Sequence, residues 1–489
     1  MQDTRESHKL VAAGDEMKAW RTPAIGHRMF GERQRRLLLA ALTVSATIGA
    51  SAARAQDAKV PTSIWDQQTL TGDWGGERTA LSNKGVTITV NSIDEILGVL
   101  SGGVRQQASY EGRTEFTLET DWEKLTGWAG ATTHVTVFQI RNSGYDAADN
   151  VGSLADPSNI DALATTRLFT AWFQQNAAAD RVSFRIGQLA ADDEFMTSTT
   201  AGGLIGGTFG WPSGFASNLP SGGPAYPLAT PGARLTLKPT DQLSLLAAVF
   251  SGNPAGADCT GLPQACDRYG TTFSFSGGAF AISELQYAVN QGKDAKGLAG
   301  VYKLGAWYHT ADFADEHFGL TPAGTAVSLA DTSMVSSPLF HQGNFAIYGV
   351  ADQTVWQQNE RSLSLFVRAS GSPADRNLLS YYVDGGAGLT GLVPGREKDV
   401  LTLGFAYEQI SRDAAALDQD ILAISGPPYA VRDHELFFEA SYTAQVAPWW
   451  MLQPDVQYFV HPNGGQNPTN PTLTIDHALL AGIRSTIKF

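Results

Sequence analysis

From Val86 to Phe489 apolar and polar residues alternate in runs of about ten, each followed by a turn or loop rich in Gly, Pro, Asn, Asp and Ser. Sixteen such runs lie near residues 86–100, 113–124, 131–141, 166–177, 181–190, 231–239, 243–252, 280–290, 298–312, 343–356, 362–372, 377–390, 399–411, 435–446, 450–461 and 477–489. Alternation sends successive side chains to opposite faces of a strand. In HALLAGIRSTIKF, Leu479, Ala481, Ile483, Ile487 and Phe489 share one face, and Gly482, Arg484, Thr486 and Lys488 the other. In ELFFEASYTA, Leu436, Phe438, Ala440 and Tyr442 oppose Glu435, Phe437, Glu439 and Ser441.

A soluble sandwich alternates in the same way. Length separates the two cases, because ordinary strands run about five or six residues whereas a tilted strand crossing a bilayer needs about nine to eleven. Short turns also alternate with long segments, at 142–165, 191–230, 253–279, 313–342 and 412–434, as two unlike rims require. Trp449, Trp450, Tyr458 and Phe459 sit toward run ends, where interfacial aromatics belong. The pattern predicts an all-β fold: a transmembrane antiparallel β-barrel of about 16 strands over residues 86–489.

One stretch breaks the alternation. TLTGDWGGERTALSNKGV predicts a short helix at the periplasmic mouth, within a lead-in over 56–85. Asp73 or Gly75 begins it, Glu77 suits its positive end, and Gly85 after Lys84 reads as its C-cap.

Residues 1–55 carry an address. Arg33, Arg35 and Arg36 precede the apolar segment Leu37 to Ala50, and Ala53-Arg54-Ala55 offers a cleavage site before Gln56, so a signal peptide is expected. The polar residues before Met29 fit no part of a signal, which leaves Met29 or Met17 as alternative translation starts. Beyond this region no apolar run reaches about 18 residues, so no helical span is available.

Only 17% of residues are charged, the mean hydropathy is −0.14 and the net charge is −14. The export segment is net basic, so its removal leaves a still more acidic chain, the wrong sign for nucleic acid. The two cysteines, Cys259 and Cys266, predict a loop-closing disulfide in an oxidising compartment. With no neighbouring His they cannot complete a tetrahedral metal site, and no metal or cofactor is expected. No G-x-S-x-G, H-E-x-x-H or P-loop occurs, and His309 and His317 have the wrong spacing for one helical face. A hydrolase assembled from separate strands stays open as an alternative.

LTGDWGGERTALSNKGVTITV, LETDWEKLTGWAGATTHVTVFQ, FRIGQLAADDEF, LFVRASGSPADRN, YYVDGGAGLTGLVPGREKDVLTLGFAYEQIS and WWMLQPDVQYFVHPNGGQNP, with a closing GIRSTIKF, follow one another in order. From about Trp65 to Phe489 the chain resembles the OprB-type carbohydrate-selective porins of Gram-negative outer membranes. The resemblance implies a sixteen-stranded barrel admitting sugars or polyols by passive diffusion. Export of polysaccharide is an alternative, because a water-filled pore has no intrinsic direction. The terminal Phe489 resembles the signal read by the outer-membrane barrel assembly machinery. Outer-membrane lipid and small sugars are the expected partners, and related barrels occur as monomers and trimers, so a homo-oligomer stays open.

A porin needs a narrowed lumen whose groups replace a sugar's hydration. Guanidinium forks donate to hydroxyls, carboxylates accept from them, and aromatic rings cover the apolar face of a pyranose. Strand phase supplies candidates. Val182, Phe184 and Ile186 on the lipid phase send Arg185 inward; Leu363, Leu365 and Val367 do the same for Arg368. Phe116, Leu118 and Trp122 outward leave Glu115, Glu119 and Asp121 inside, and the same test places Glu408, Glu439, Asp455 and Arg484 in the lumen. Arg185, Arg368 and Glu119, with Arg141 as a fourth, are the expected constriction.

Overall fold

The computed structural model describes residues 63–144, 146–292 and 295–489. The expected export segment 1–55, with its alternative starts, and the beginning of the 56–85 lead-in lie outside the described residues.

Seventeen strands form one sheet: β1 Val86–Gly102, β2 Ala108–Asp121, β3 Ala131–Asn142, β4 Thr165–Ala177, β5 Val182–Leu189, β6 Thr230–Leu237, β7 Leu243–Ser251, β8 Ala279–Val289, β9 Gly300–Leu320, β10 Ala326–Ser328, β11 Ser337–Gln358, β12 Arg361–Gly371, β13 Leu379–Thr390, β14 Val400–Ile410, β15 His434–Ala447, β16 Trp450–Val460 and β17 His477–Lys488. β10 is a three-residue addition to β9, and β9 pairs directly with β11. The other sixteen strands pair antiparallel in chain order, and β1 pairs with β17, closing the barrel. Closure leaves no unpaired edge, which a sheet in lipid requires. The segment 313–342, expected as a loop, is instead largely strand, because β9 and β11 continue pairing beyond their neighbours as far as Leu320 and Ser337.

Outward phases carry exposed apolar side chains, among them Phe184, Ile186, Leu365, Val367, Leu403, Phe405, Phe438 and Ile483, as a lipid-facing band demands. Of the expected rim aromatics, Tyr458 faces out, whereas Phe459 is fully buried and stacks on Phe437 inside, their centroids 4.4 Å apart. Trp122 does not continue the outward phase of β2: the strand ends at Asp121, and Trp122 begins the short helix Trp122–Thr126.

The lead-in helix runs Glu77–Asn83, after a single turn over Trp74–Gly76. Asp73 accepts both the backbone N–H and the hydroxyl of Thr79 at 2.9 Å. Gly85 follows with φ +95°, and a Cβ there would stand 2.4 Å from the Asp121 carbonyl, so only glycine fits. Two contacts tie this lead-in to the chain's end: the Leu70 N–H donates to the Lys488 carbonyl, and Arg78 donates to the Phe489 carbonyl at 2.8 Å. The helix therefore sits on the rim where the last strand finishes.

The connections on that rim are short, as at 178–181, 238–242, 359–360 and 448–449. On the opposite rim most are longer, with 103–107 and 372–378 the short exceptions, and the segment 190–229 turns back into the barrel. There Phe209 meets Phe437 at 5.4 Å and Phe215 packs edge-on against Trp307 and Tyr348 at 5.9 and 5.5 Å. Each such buried ring contributes about 1.5–3 kcal/mol. The core of this protein thus lies inside the barrel, between the wall and its own loop.

Candidate functional site

Two kinds of inward surface divide the lumen. Along β11–β16 the wall charges are spent on the folded-in chain. Arg368 is fully buried, pairs with Asp384, and donates to the carbonyls of Met196, Gly210 and Thr208 at 2.9, 3.1 and 2.9 Å. Glu439 accepts the N–H groups of Ile205 and Gly206 at 2.5 and 2.9 Å. A Cβ on Gly206 would lie 2.6 Å from the Phe437 ring, so glycine sets how close the loop approaches the wall. Glu408 is buried against Thr208, and Glu435 accepts from Leu154 and Ala155 in a second inward segment. Asp455 is buried beside Glu439 and Gln457, and the Gln457 amide donates to the Pro157 carbonyl. On β17, Arg484 pairs with Glu95 of β1 at 2.5 Å.

Along β2–β6 the wall is partly open: Tyr226 of the folded-in segment packs on Phe138 and Phe169, and a cavity remains beside them. A cavity of about 610 Å³ is lined by Arg113, Glu115, His134, Phe138, Phe169, Trp172, Arg185, Asp193 and Tyr226, among others. Its size falls within the roughly 300–1,000 Å³ of small-molecule sites. The guanidinium of Arg185 lies 3.8 Å over the Trp172 ring, and His134 stacks on that ring at 4.7 Å, 4° from parallel. Glu119 stands 3.6 Å from the His134 Nδ1, so Glu119, His134, Trp172 and Arg185 form one continuous chain of contacts. Across the cavity Arg113 lies between Phe138 and Tyr226, 4.7 and 4.9 Å from their centroids.

The folded-in loop supplies the opposing carboxylate. Glu194 bridges Arg185 at 2.7 Å and Arg234 at 2.9 Å, and the Gln174 side-chain Oε1 accepts from both guanidiniums. These groups hold the two arginines still, with Arg185 at the cavity wall and Arg234 buried behind it. Fixed donors beside aromatic faces suit a ligand that is polar at its edge and apolar on its face, such as a pyranose.

The expected constriction is therefore only partly brought together. Arg185 lines the cavity, and Glu119 contacts His134 on its wall. Arg368, although inward as expected, is sealed beneath the loop and touches no open space. Asp121 is not a lumen group: it caps the helix Trp122–Thr126, accepting from Glu123 and Lys124 at 3.0 and 3.2 Å. Arg141 faces the other way. His134, Thr136 and Phe138 take the inward phase of β3, so Gln139 and Arg141 point outward, where Arg141 bonds Asp94 and Thr114 at 2.8 Å each. Arg113, Arg234, Trp172 and Tyr226 were missed. Parity would have found Arg113, two positions before Glu115, and Arg234, between outward Ala233 and Leu235. Trp172 and Phe138 defeat the phase rule because they are apolar and inward. Cys259 and Cys266 are joined, their Cα atoms 5.9 Å apart.

Residues 105–489 match the family described as carbohydrate-selective porin, OprB family. Porin B of Pseudomonas aeruginosa is 25% identical over 471 residues, covering 90% of this chain and 94% of the relative. The putative porin QuiX of Acinetobacter baylyi is 23% identical over 458 residues, covering 87% and 94%. The high pH structure of Pseudomonas putida OprB superposes with a TM-score of 0.75 at 22% identity, covering 87% of this chain and 99% of that one. With its family match spanning most of the sequence and its closed barrel of sixteen long strands, the chain belongs to the OprB family of carbohydrate-selective porins, passive channels for sugars.

Proposed function

We propose that the passage between Arg113, Trp172, Arg185 and Tyr226 is the selectivity constriction of this porin, and that neutral sugars or polyols cross it by exchanging water for its fixed donors and rings. The observation that carries the reading is the Arg185 guanidinium held over Trp172 at 3.8 Å by Glu194 and Gln174. Preorganised donors replace hydration without a further ordering cost. Glu119 belongs to the same path through His134. The test is reconstitution in liposomes with a series of sugars of increasing size. Swelling that falls off with sugar size supports the constriction, and absence of sugar-dependent swelling contradicts it. The family and fold are those of a channel, and hydrolysis of an ester substrate by the same liposomes would instead favour the enzyme.

The same reading places the chain in a Gram-negative outer membrane after removal of residues 1–55, with the short-turn rim in the periplasm and the lead-in helix anchoring the chain at that mouth. Phe489 would serve barrel assembly from the same rim. A second proposal concerns oligomeric state. Ser92, Asp94, Tyr110, Thr114, Gln139 and Arg141 form a hydrogen-bonded network on the outward side of β1–β3, beside exposed Ile96, Leu100, Phe116 and Leu118. Charges on a lipid-facing surface are costly, which favours a protein neighbour there. Intermolecular cross-links between cysteines introduced at Phe116 support a homo-oligomer through this face; their absence at high protein density in lipid contradicts it.

A further inference from the structure

At the long-loop rim, β15 begins and β16 ends beside one another, and the pairing brings three metal-binding side chains together. Asp433 precedes β15, His434 is its first residue and His461 follows β16. Their ligand atoms all lie within 4.8 Å of one another, which makes them the one such cluster among the described residues. One carboxylate oxygen, Asp433 Oδ1, stands 3.1 Å from the His461 Nδ1 and 3.4 Å from the His434 Nδ1. Tetrahedral zinc with bonds of about 2.0–2.1 Å separates its ligands by about 3.3–3.4 Å. The carboxylate therefore already stands at about coordination-shell separation from each imidazole.

The surroundings hold the ligands in place. The Asp433 N–H donates to the Gly464 carbonyl, and its own carbonyl accepts from Ile410 and from the Gln409 amide at 3.1 and 2.9 Å. His434 pairs with Gln409 across the sheet and stacks on Tyr407 at 5.5 Å. His461 has φ +51°, a left-handed backbone that costs a residue with a Cβ, and its N–H donates to the Asp476 carbonyl at 3.0 Å. All three side chains remain accessible, with Asp433 half exposed. Linear spacing hid the cluster, since Asp433 and His461 are 28 positions apart.

We propose that Asp433, His434 and His461 form a divalent transition-metal site, with Zn²⁺ the cation that fits best. Two neutral imidazoles and one carboxylate give three ligands, and the open side leaves a fourth position for water. A bound ion would cross-link the start of β15 to the loop after β16 and pin this part of the rim.

The test uses the full chain in detergent micelles, titrated with Zn²⁺ against a chromophoric chelator. One additional zinc bound by the wild type and lost in both the H434A/H461A and D433N variants supports the site. Equal binding in wild type and variants, or no binding by the wild type at micromolar zinc, overturns it and leaves the cluster as a carboxylate accepting from two imidazoles. A second measurement needs no variant. Zinc should protect His434 and His461 from carbethoxylation, read by mass spectrometry, while exposed His477 stays reactive. Equal reactivity of all three with and without zinc overturns the proposal as well.

Discussion

Arg185 and Arg368 occupy the same inward phase of a barrel strand, one on β5 and one on β12, yet they have different work. Arg185 remains at the surface of a cavity, stacked on Trp172 and bridged to a single partly exposed carboxylate. Arg368 has no exposed surface, a paired Asp384 and three loop carbonyls to bond. What differs is how the folded-in segment 190–229 meets the wall: it seals Arg368 on β12, whereas against β2–β5 it makes contact through Glu194 and Tyr226 and leaves a cavity of about 610 Å³ beside Arg185. A lumen charge is thus sealed as an anchor or left at a cavity wall according to how the loop meets its strand.

The comparison breaks most visibly at the anchor. Arg368→Ala leaves Asp384 buried without its cation and frees three carbonyls, and the expected destabilisation is about 3–5 kcal/mol. Its measurement is denaturant unfolding of the barrel in micelles, accompanied by noisier single-channel current as the loop loosens. Glu439→Ala orphans the N–H groups of Ile205 and Gly206 on the same loop and should cost about 1–3 kcal/mol in the same assay. Arg185→Ala lies on the other side of the comparison: Glu194 keeps Arg234 as a partner, so stability should fall by only about 1–2 kcal/mol. Sugar block of the current should weaken nonetheless. Asp121→Ala removes only a helix cap at the short-turn rim, with an expected loss of about 1 kcal/mol and no change in sugar permeation.

Strand number, closure and the position of the lead-in helix were legible in the sequence because alternation and turn residues are local signals. The inward phase of Arg185, Arg368, Glu408, Glu439, Asp455 and Arg484 followed from the same rule. What it lacked was the loop. Nothing local in SLSLFVRAS distinguishes an arginine under a folded segment from one beside water, since the covering residues lie more than a hundred positions away. The rule also assumes that apolar means outward. On β3 and β4 the inward residues include Phe138 and Trp172, and the phase of β3 that follows sends Arg141, taken as a fourth constriction residue, to the outer face. Aromatic side chains inside this barrel belong either to the loop core, as Phe437 and Trp307 do, or to the cavity wall, as Trp172 does, and the alternation pattern carries no mark of either.

The most direct measurement is sugar block of single-channel current in planar bilayers, comparing wild type with the R113A/R185A double variant, both verified as folded barrels. Each guanidinium hydrogen bond to a sugar hydroxyl is worth about 1.5 kcal/mol, so the half-blocking concentration should rise by roughly tenfold or more. Unchanged half-blocking concentrations in the folded double variant would contradict the placement of the constriction along β2–β5.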